Sequence, residues 1–239
     1  MTRRIQKVLA VGPIRGAVDP LQRLLGEELP GLEVDAVAVV GDLGVAWSKP
    51  DTYRAVFKAL GETGLPAFWI PGPIDAPISE YLRESYNMEI AFLRLRGIHG
   101  TAAVADGQVL FAGMGGEIVD DLDAPRVEEA MLRYPGWEAE YRLKLIDQFD
   151  QPLRVLLFAT RPTHKGLHEP GSEVVATLIK TYAPKVAIVA GEGVAEERLG
   201  TSLVVCPGRL DLGIYSVIDI HSGSVEVGEL AGVTAGRTP

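Results

Sequence analysis

The chain has 239 residues, 47% hydrophobic and 23% charged, a composition that forms a globular core and excludes disordered, collagenous and long coiled-coil proteins. Its net charge of −9, with the 23 Lys and Arg scattered, argues against a nucleic-acid footprint, which needs basic residues gathered on one face. No stretch approaches the roughly 20 apolar residues of a membrane span, the apolar run behind the basic N-terminus is too short for a signal-peptide core, and the one cysteine, Cys206, cannot form an internal disulfide. The expectation is a cytoplasmic protein that engages neither membrane nor nucleic acid.

In chain order, a short apolar run at 8–11 is followed by a helical pattern at 19–29, with Asp19 as N-cap and Pro20 at the first helical position. A run at 36–40, a helical pattern at 51–60 and a run at 67–70 complete a β-α-β-α-β order. Unbroken apolar runs of this length read as strands buried on both faces, so the order predicts a parallel sheet with helices packed on it. Asp75 reads as the N-cap of a helical pattern at 78–86. After Asn87 come short segments, including a hairpin of 102–105 and 109–112 around Asp106-Gly107. A helical pattern spans 126–149, interrupted at Pro135-Gly136. It carries Tyr134, Trp137 and Tyr141, aromatics that suit core packing, a lid or a homo-oligomer contact. A run at 155–158, a helix at 173–182 capped by Ser172 and a run at 186–190 follow. Strands at 203–205, 214–220 and 224–230 close the chain, with a turn at Ser222-Gly223 and a frayed tail over 231–239. We read residues 1–230 as one domain with a mixed β core. Its two β-containing halves, 1–113 and 153–230, suggest two sheets face to face.

Ligands in open α/β folds sit at the carboxyl ends of the strands. The loops there read Gly12-Pro13-Ile14-Arg15-Gly16, Gly41-Asp42-Leu43, Pro71-Gly72-Pro73-Ile74-Asp75, Ala159-Thr160-Arg161-Pro162, Gly191-Glu192-Gly193-Val194 and Cys206-Pro207-Gly208. In this order, over residues 6–230, they resemble the strand-end motifs of the calcineurin-like metallophosphoesterases, namely Asp-x-His-Gly, Gly-Asp, Gly-Asn-His-Asp, His-x-Pro-Pro, Gly-His-x-His and Asn-Pro-Gly. The resemblance implies a four-layer αββα sandwich of two mixed sheets, with a dinuclear metal site that activates water against a phosphoester.

Carried over residue by residue, the resemblance implies a degenerate site. Pro13 stands where the family has a metal-binding aspartate and Arg15 where it has a histidine, while Asp42 keeps the bridging carboxylate. Pro73 replaces the ligating asparagine, Ile74 the catalytic histidine and Ala159 another histidine. Glu192 and Val194 replace the last two, and Asp75 survives. Proline and arginine offer a metal no lone pair, and Asp42 with Glu192 cannot hold two ions; at most a single Mn, Mg or Ca ion is conceivable.

Without metals, Asp42 and Glu192 need other partners, since a buried unpaired carboxylate is costly. Arg15 and Arg161 are the candidates. The expected function is a pseudo-enzyme that binds a phosphate- or carboxylate-bearing ligand through Arg15 and Arg161, helped by backbone N–H groups near 16–19 and by His164. A weakly active one-metal phosphoesterase around Asp42 and Glu192, and a structural or protein-interaction scaffold, are the competing classes. His164 and His168 share a loop with Gly166 between them, which argues against a helical metal pair; His99 and His221 carry no assigned role. Cys206 reads as a buried, inert thiol.

Overall fold

Runs such as Val8-Leu9-Ala10-Val11 alternate their side chains between two apolar environments, which is why they carry no polar residue: Val8 and Ala10 face one core cluster, Leu9 and Val11 another. In the computed structural model, which describes residues 4–106, 108–167 and 171–233, the strands in chain order are β1 (Lys7–Val11), β2 (Ala36–Val39), β3 (Ala67–Trp69), β4 (Leu95–Gly97), β5 (Thr101–Ala105), β6 (Val109–Met114), β7 (Glu117–Val119), β8 (Arg133–Pro135), β9 (Leu153–Phe158), β10 (Val186–Val189), β11 (Val194–Leu199), β12 (Ser202–Pro207), β13 (Ile214–Asp219) and β14 (Val225–Glu229). The helices are α1 (Val18–Arg23), α2 (Leu29–Leu32), α3 (Pro50–Glu62), α4 (Ile78–Ala91), α5 (Gly136–Leu143) and α6 (Glu173–Tyr182).

Two six-stranded sheets form. The first has the order β14-β13-β1-β2-β3-β4, parallel from β1 to β4 and antiparallel at β13 and β14. The second has the order β11-β12-β10-β9-β6-β5, with four parallel strands flanked by antiparallel β11 and β5. Helices α1, α3 and α4 cover the outer face of the first sheet through Leu21, Phe57 and Tyr81. On the outer face of the second, α5 and α6 pack through Leu143, Val175 and Ile179. Between the sheets lies a third cluster, in which the Phe68 and Phe111 rings stack at 3.9 Å and 4°. This is the expected αββα sandwich.

Four local expectations change. The sheets do not divide the chain into its two halves: β5 and β6 join the second sheet, and β13 and β14 return to the first. Asp19 does not cap α1, which starts two residues earlier than expected, at Val18 behind Ala17, with no side-chain cap, and the helix widens into a π-turn over Leu24–Glu28. Residues 126–132 are not helical. Val127 and Arg133 exchange backbone hydrogen bonds, and Leu132 donates to the Pro73 carbonyl, so this segment folds back onto the loop after β3. Helix begins only after Pro135, whose missing N–H and fixed φ suit a boundary. Asp75 does not cap α4; its partners lie elsewhere, as described below. Ser172 does cap α6, its Oγ accepting from the Val175 amide, and Asp120 adds a second cap by accepting from the Glu173 and Val174 amides. The Gly107 half of the hairpin turn and residues 234–239 of the expected tail lie outside the described residues.

Because the Phe68–Phe111 stack fills the inter-sheet layer, Phe111→Ala is expected to cost about 3–5 kcal/mol in denaturant unfolding. A loss under about 1 kcal/mol would contradict the layer assignment.

Candidate functional site

The carboxyl ends of β1, β2, β3, β9 and β10 open onto one cleft of about 450 Å³, walled on another side by β7 and β8. Among its lining residues are Pro13, Arg15, Asp42, Pro73, Ala159, Arg161 and Glu192, so the structure brings most of the motif positions together. Loops from both sheets meet there because glycines allow backbone contact. A Cβ on Gly72 would lie 2.0 Å from Asp42 Oδ1, and one on Gly12 would lie 1.7 Å from the Gly208 carbonyl oxygen.

Arg15 holds the centre. Its φ of 49° is in the left-handed region, uncommon for a residue with a Cβ. Neighbouring hydrogen bonds fix it there: the Ile14 and Arg15 amides both donate to the Asp42 carbonyl, at 2.8 and 2.9 Å, and Gly16 donates to Leu43. The guanidinium then reaches two carboxylates, with Nε 3.6 Å from Asp42 Oδ2 and Nη2 2.6 Å from Glu192 Oε1. Glu192 is held from its other side by Arg209 Nη1 at 2.5 Å, and Arg209 is itself fixed by a two-pronged contact with Asp211.

The two carboxylates respond differently to the arginine they share. Burial pushes the Asp42 carboxyl up, against the opposing pull of the Ile74 amide and Arg15. Glu192 is held below the usual carboxylate range, first by its hydrogen bond from Arg15 and then by Arg209, with burial opposing. The difference follows from geometry: Arg15 spends its short contact on exposed Glu192 and gives buried Asp42 only the longer one.

Asp75 lies underneath, fully buried. Its carboxylate accepts from the amides of Leu43 at 2.9 Å, Gly44 at 2.8 Å and Gly72 at 2.7 Å, tying the loop after β2 to the loop after β3. Burial raises its carboxyl to about 7; the amide donors oppose this, and the charge of Asp42 adds to it.

Arg161 lines the cleft, donates from Nη1 to the Leu167 carbonyl at 3.2 Å and has no carboxylate partner among the described residues. It does not pair with Asp42 or Glu192; Arg209 takes the place expected of it. The backbone groups near residues 16–19 are also not free, since the Gly16, Ala17 and Val18 amides already donate to Leu43, Ile14 and Gly16 carbonyls. His164 is not among the cleft-lining residues. Its Nδ1 accepts from Gly166 and lies 4.0 Å from Glu197. His168 lies outside the described residues. Cys206 is buried with its thiol pushed up to about 11 by burial, as an inert thiol should be.

Three contributors went unread in the sequence. Arg209 directly follows Cys206-Pro207-Gly208, so extending that motif by one residue would have found it. Glu117 and Arg133, paired at 2.7 Å across β7 and β8, form another wall with Met131. Arg133 belongs to the segment 126–149 that looked helical, and Glu117 to the short segments before it. Trp137 and Tyr141 do not line the cleft and are exposed, whereas Tyr134 is buried.

Residues 46–230 match the family described as metallophosphoesterase, calcineurin superfamily, and the chain belongs to it. It is 42% identical to TT1561 of Thermus thermophilus, whose crystal structure aligns with a TM-score of 0.89 over 95% of this chain and 99% of that one. A second solved structure, 27% identical, aligns with a TM-score of 0.86 over 95% of this chain and all of its own. A search of curated proteins returned no match. The superfamily implies divalent metals, but the donors here do not fit a metal pair. Asp42 and Glu192 are engaged by arginines, Pro13, Ile74, Ala159 and Val194 offer no side-chain ligand, and no group of three or more His, Cys, Asp or Glu among the described residues is arranged to hold an ion.

The Asp75 clasp gives a pH signature. Its folded pKa of about 7 lies above the ordinary 3.8, so its contribution to stability is complete below pH 3.8 and is lost as pH rises towards 7. Asp75→Asn is expected to flatten that part of the stability profile in urea unfolding between those two values. A slope equal to that of the wild type would contradict the assignment.

Proposed function

We propose that this chain is a non-hydrolytic member of its superfamily, in which an arginine–carboxylate cluster stands in for the metals and the cleft binds a small ligand bearing a phosphate or carboxylate. The observation that carries this reading is the pairing of Arg15 with Asp42 and Glu192 at ligand positions, beside an Arg161 that has no acidic partner among the described residues. Arg15 and Arg209 together neutralise the carboxylates that would otherwise repel an anion. Arg161 then supplies the planar fork of donors that suits an oxyanion. Thr160 does not contribute, because its hydroxyl already donates to the Gly116 carbonyl and accepts from the Ile118 amide.

Water activation in this superfamily depends on metal ligands, and most of those positions carry side chains without donor atoms. Binding therefore remains as the cleft's role, with Asp42 and Glu192 serving to orient Arg15.

Inorganic phosphate at ten times its dissociation constant is expected to stabilise the wild type by about 1.4 kcal/mol, a rise of roughly 3–6 °C in Tm for a chain of this size. Arg161→Ala should abolish the rise and Arg161→Lys should weaken it. No shift with phosphate or a phosphomonoester, or an undiminished shift in Arg161→Ala, would contradict the reading.

Hydrolysis of bis(p-nitrophenyl) phosphate in Mn²⁺ is expected to stay at the buffer rate. Metal-dependent turnover lost in Asp42→Asn would favour the one-metal phosphoesterase instead.

A further inference from the structure

The short strand β7 sets a charged side chain beside the cleft. Ile118 at its centre is buried in the apolar layer that α5 and α6 cover, so by alternation Glu117 stands on the opposite face, where it lines the cleft. Strand β8 pairs with β7 in a register that puts Arg133 across from Glu117. The loop after β9 fixes this ribbon beside Arg161: the Thr160 hydroxyl donates to the Gly116 carbonyl at 3.1 Å and accepts from the Ile118 amide at 2.8 Å. Glu117 lies between those two bonded residues and Arg161 directly follows Thr160, so their backbones are held side by side at one wall of the cleft.

The contact between Glu117 and Arg133 is incomplete. Arg133 Nε meets Glu117 Oε2 at 2.7 Å, and among the described residues neither Glu117 Oε1 nor the Arg133 Nη atoms have a partner. The two-pronged contact of Arg209 with Asp211 engages both carboxylate oxygens, whereas this one leaves an oxygen of a half-buried, cleft-lining residue unused. Among the described residues, the charged groups lining the cleft are Arg15, Arg133 and Arg161 against Asp42, Glu117 and Glu192, a formally neutral set.

We propose that the anion held by Arg161 carries an ammonium group on a short chain and that Glu117 binds it, so that the cleft's ligand is a small zwitterion, an amine-bearing phosphate or carboxylate. Glu117 then decides which anion the site proposed above takes, and its role rests on that site. The charge balance favours a zwitterion over a dianion. A ligand with two negative groups would set its second beside Glu117 and leave a neutral cleft strongly negative, whereas one group of each sign keeps it neutral. An apolar ligand end at the same place would cover the free carboxylate oxygen without replacing its hydrogen bonds to water. Arg133 is a positioning residue: it holds the carboxylate by one oxygen and leaves the other to accept from the ligand.

Calorimetric titration of the full chain tests this with two matched pairs of probes, O-phosphoethanolamine against propyl phosphate and 3-aminopropyl phosphate against butyl phosphate. Each pair differs by an ammonium in place of a methyl group. In the wild type at least one amine is expected to bind about tenfold more tightly than its alkyl partner, the size of one hydrogen bond to a charged group. Glu117→Gln, which keeps the shape of the side chain without its charge, should bring that ratio close to one; a purely structural Glu117–Arg133 pair predicts an unchanged ratio. The wild-type arm does not depend on any variant folding. Ratios near one in both wild-type pairs, or a preference that survives in Glu117→Gln, would overturn the proposal. Inorganic phosphate separates the two levels. If phosphate binds and neither amine is preferred, Glu117 loses its role and the anion site stands; if neither phosphate nor any of the four probes binds, the anion site fails and this inference fails with it.

Discussion

The guanidinium of Arg15 lies between carboxylates that belong to different sheets, Asp42 from the end of β2 and Glu192 from the end of β10. It ties the two halves of the sandwich together where their strand ends converge. The backbone keeps Arg15 in the left-handed region, and the loops that do so are clasped by Asp75 beneath them. Removing a positive charge from this point would leave Asp42 buried with, among the described residues, the Ile74 amide for a partner, and a buried carboxylate so placed is destabilising or protonated. Under the proposed function, the positive charge at these strand ends is supplied by the chain itself. The exposed part of the network, Glu192 with Arg209, adds little to stability by itself, because solvent screens it. Its importance is geometric, since Arg209 and Arg15 together fix the position of Glu192.

The sandwich stands independently of that chemistry. Of the replaced ligand positions, only Ala159 packs against its three apolar layers, at the edge of the layer between the sheets that holds the Phe68–Phe111 stack. A fold whose core is separate from its site tolerates loss of the ligands one by one, and the superfamily architecture therefore fixes where a ligand sits without fixing the reaction. What the cleft retains is position, a concave junction of five strand ends, together with an arginine that has no acidic partner among the described residues.

The parallel strands were legible in the sequence because burial on both faces leaves unbroken runs such as 36–40 and 186–190, which no surface strand shows. The site loops were legible for a related reason: each follows such a run and turns at Gly or Pro. Failures occurred where a residue's partners are distant in the chain. Asp75 looked like a cap for the helix three residues ahead, but its carboxylate serves amides at 43 and 44, more than thirty residues back. Residues 126–132 had helical spacing, yet they pair with the loop after β3 and with β7, contacts that local periodicity cannot encode. The exchange of Arg161 for Arg209 as the partner of Glu192 is of the same kind. Both arginines follow strand ends of the second sheet, and only the packing of the sheets decides which one reaches the carboxylate.

In the proposed function, Arg15 occupies the place of a metal. Calorimetric titration of the full chain with Mn²⁺, after chelator treatment and dialysis, tests it most directly. An arginine-filled site predicts no saturable binding heat at micromolar protein. One or two Mn²⁺ bound tightly per chain, with the heat lost in Asp42→Asn, would contradict it.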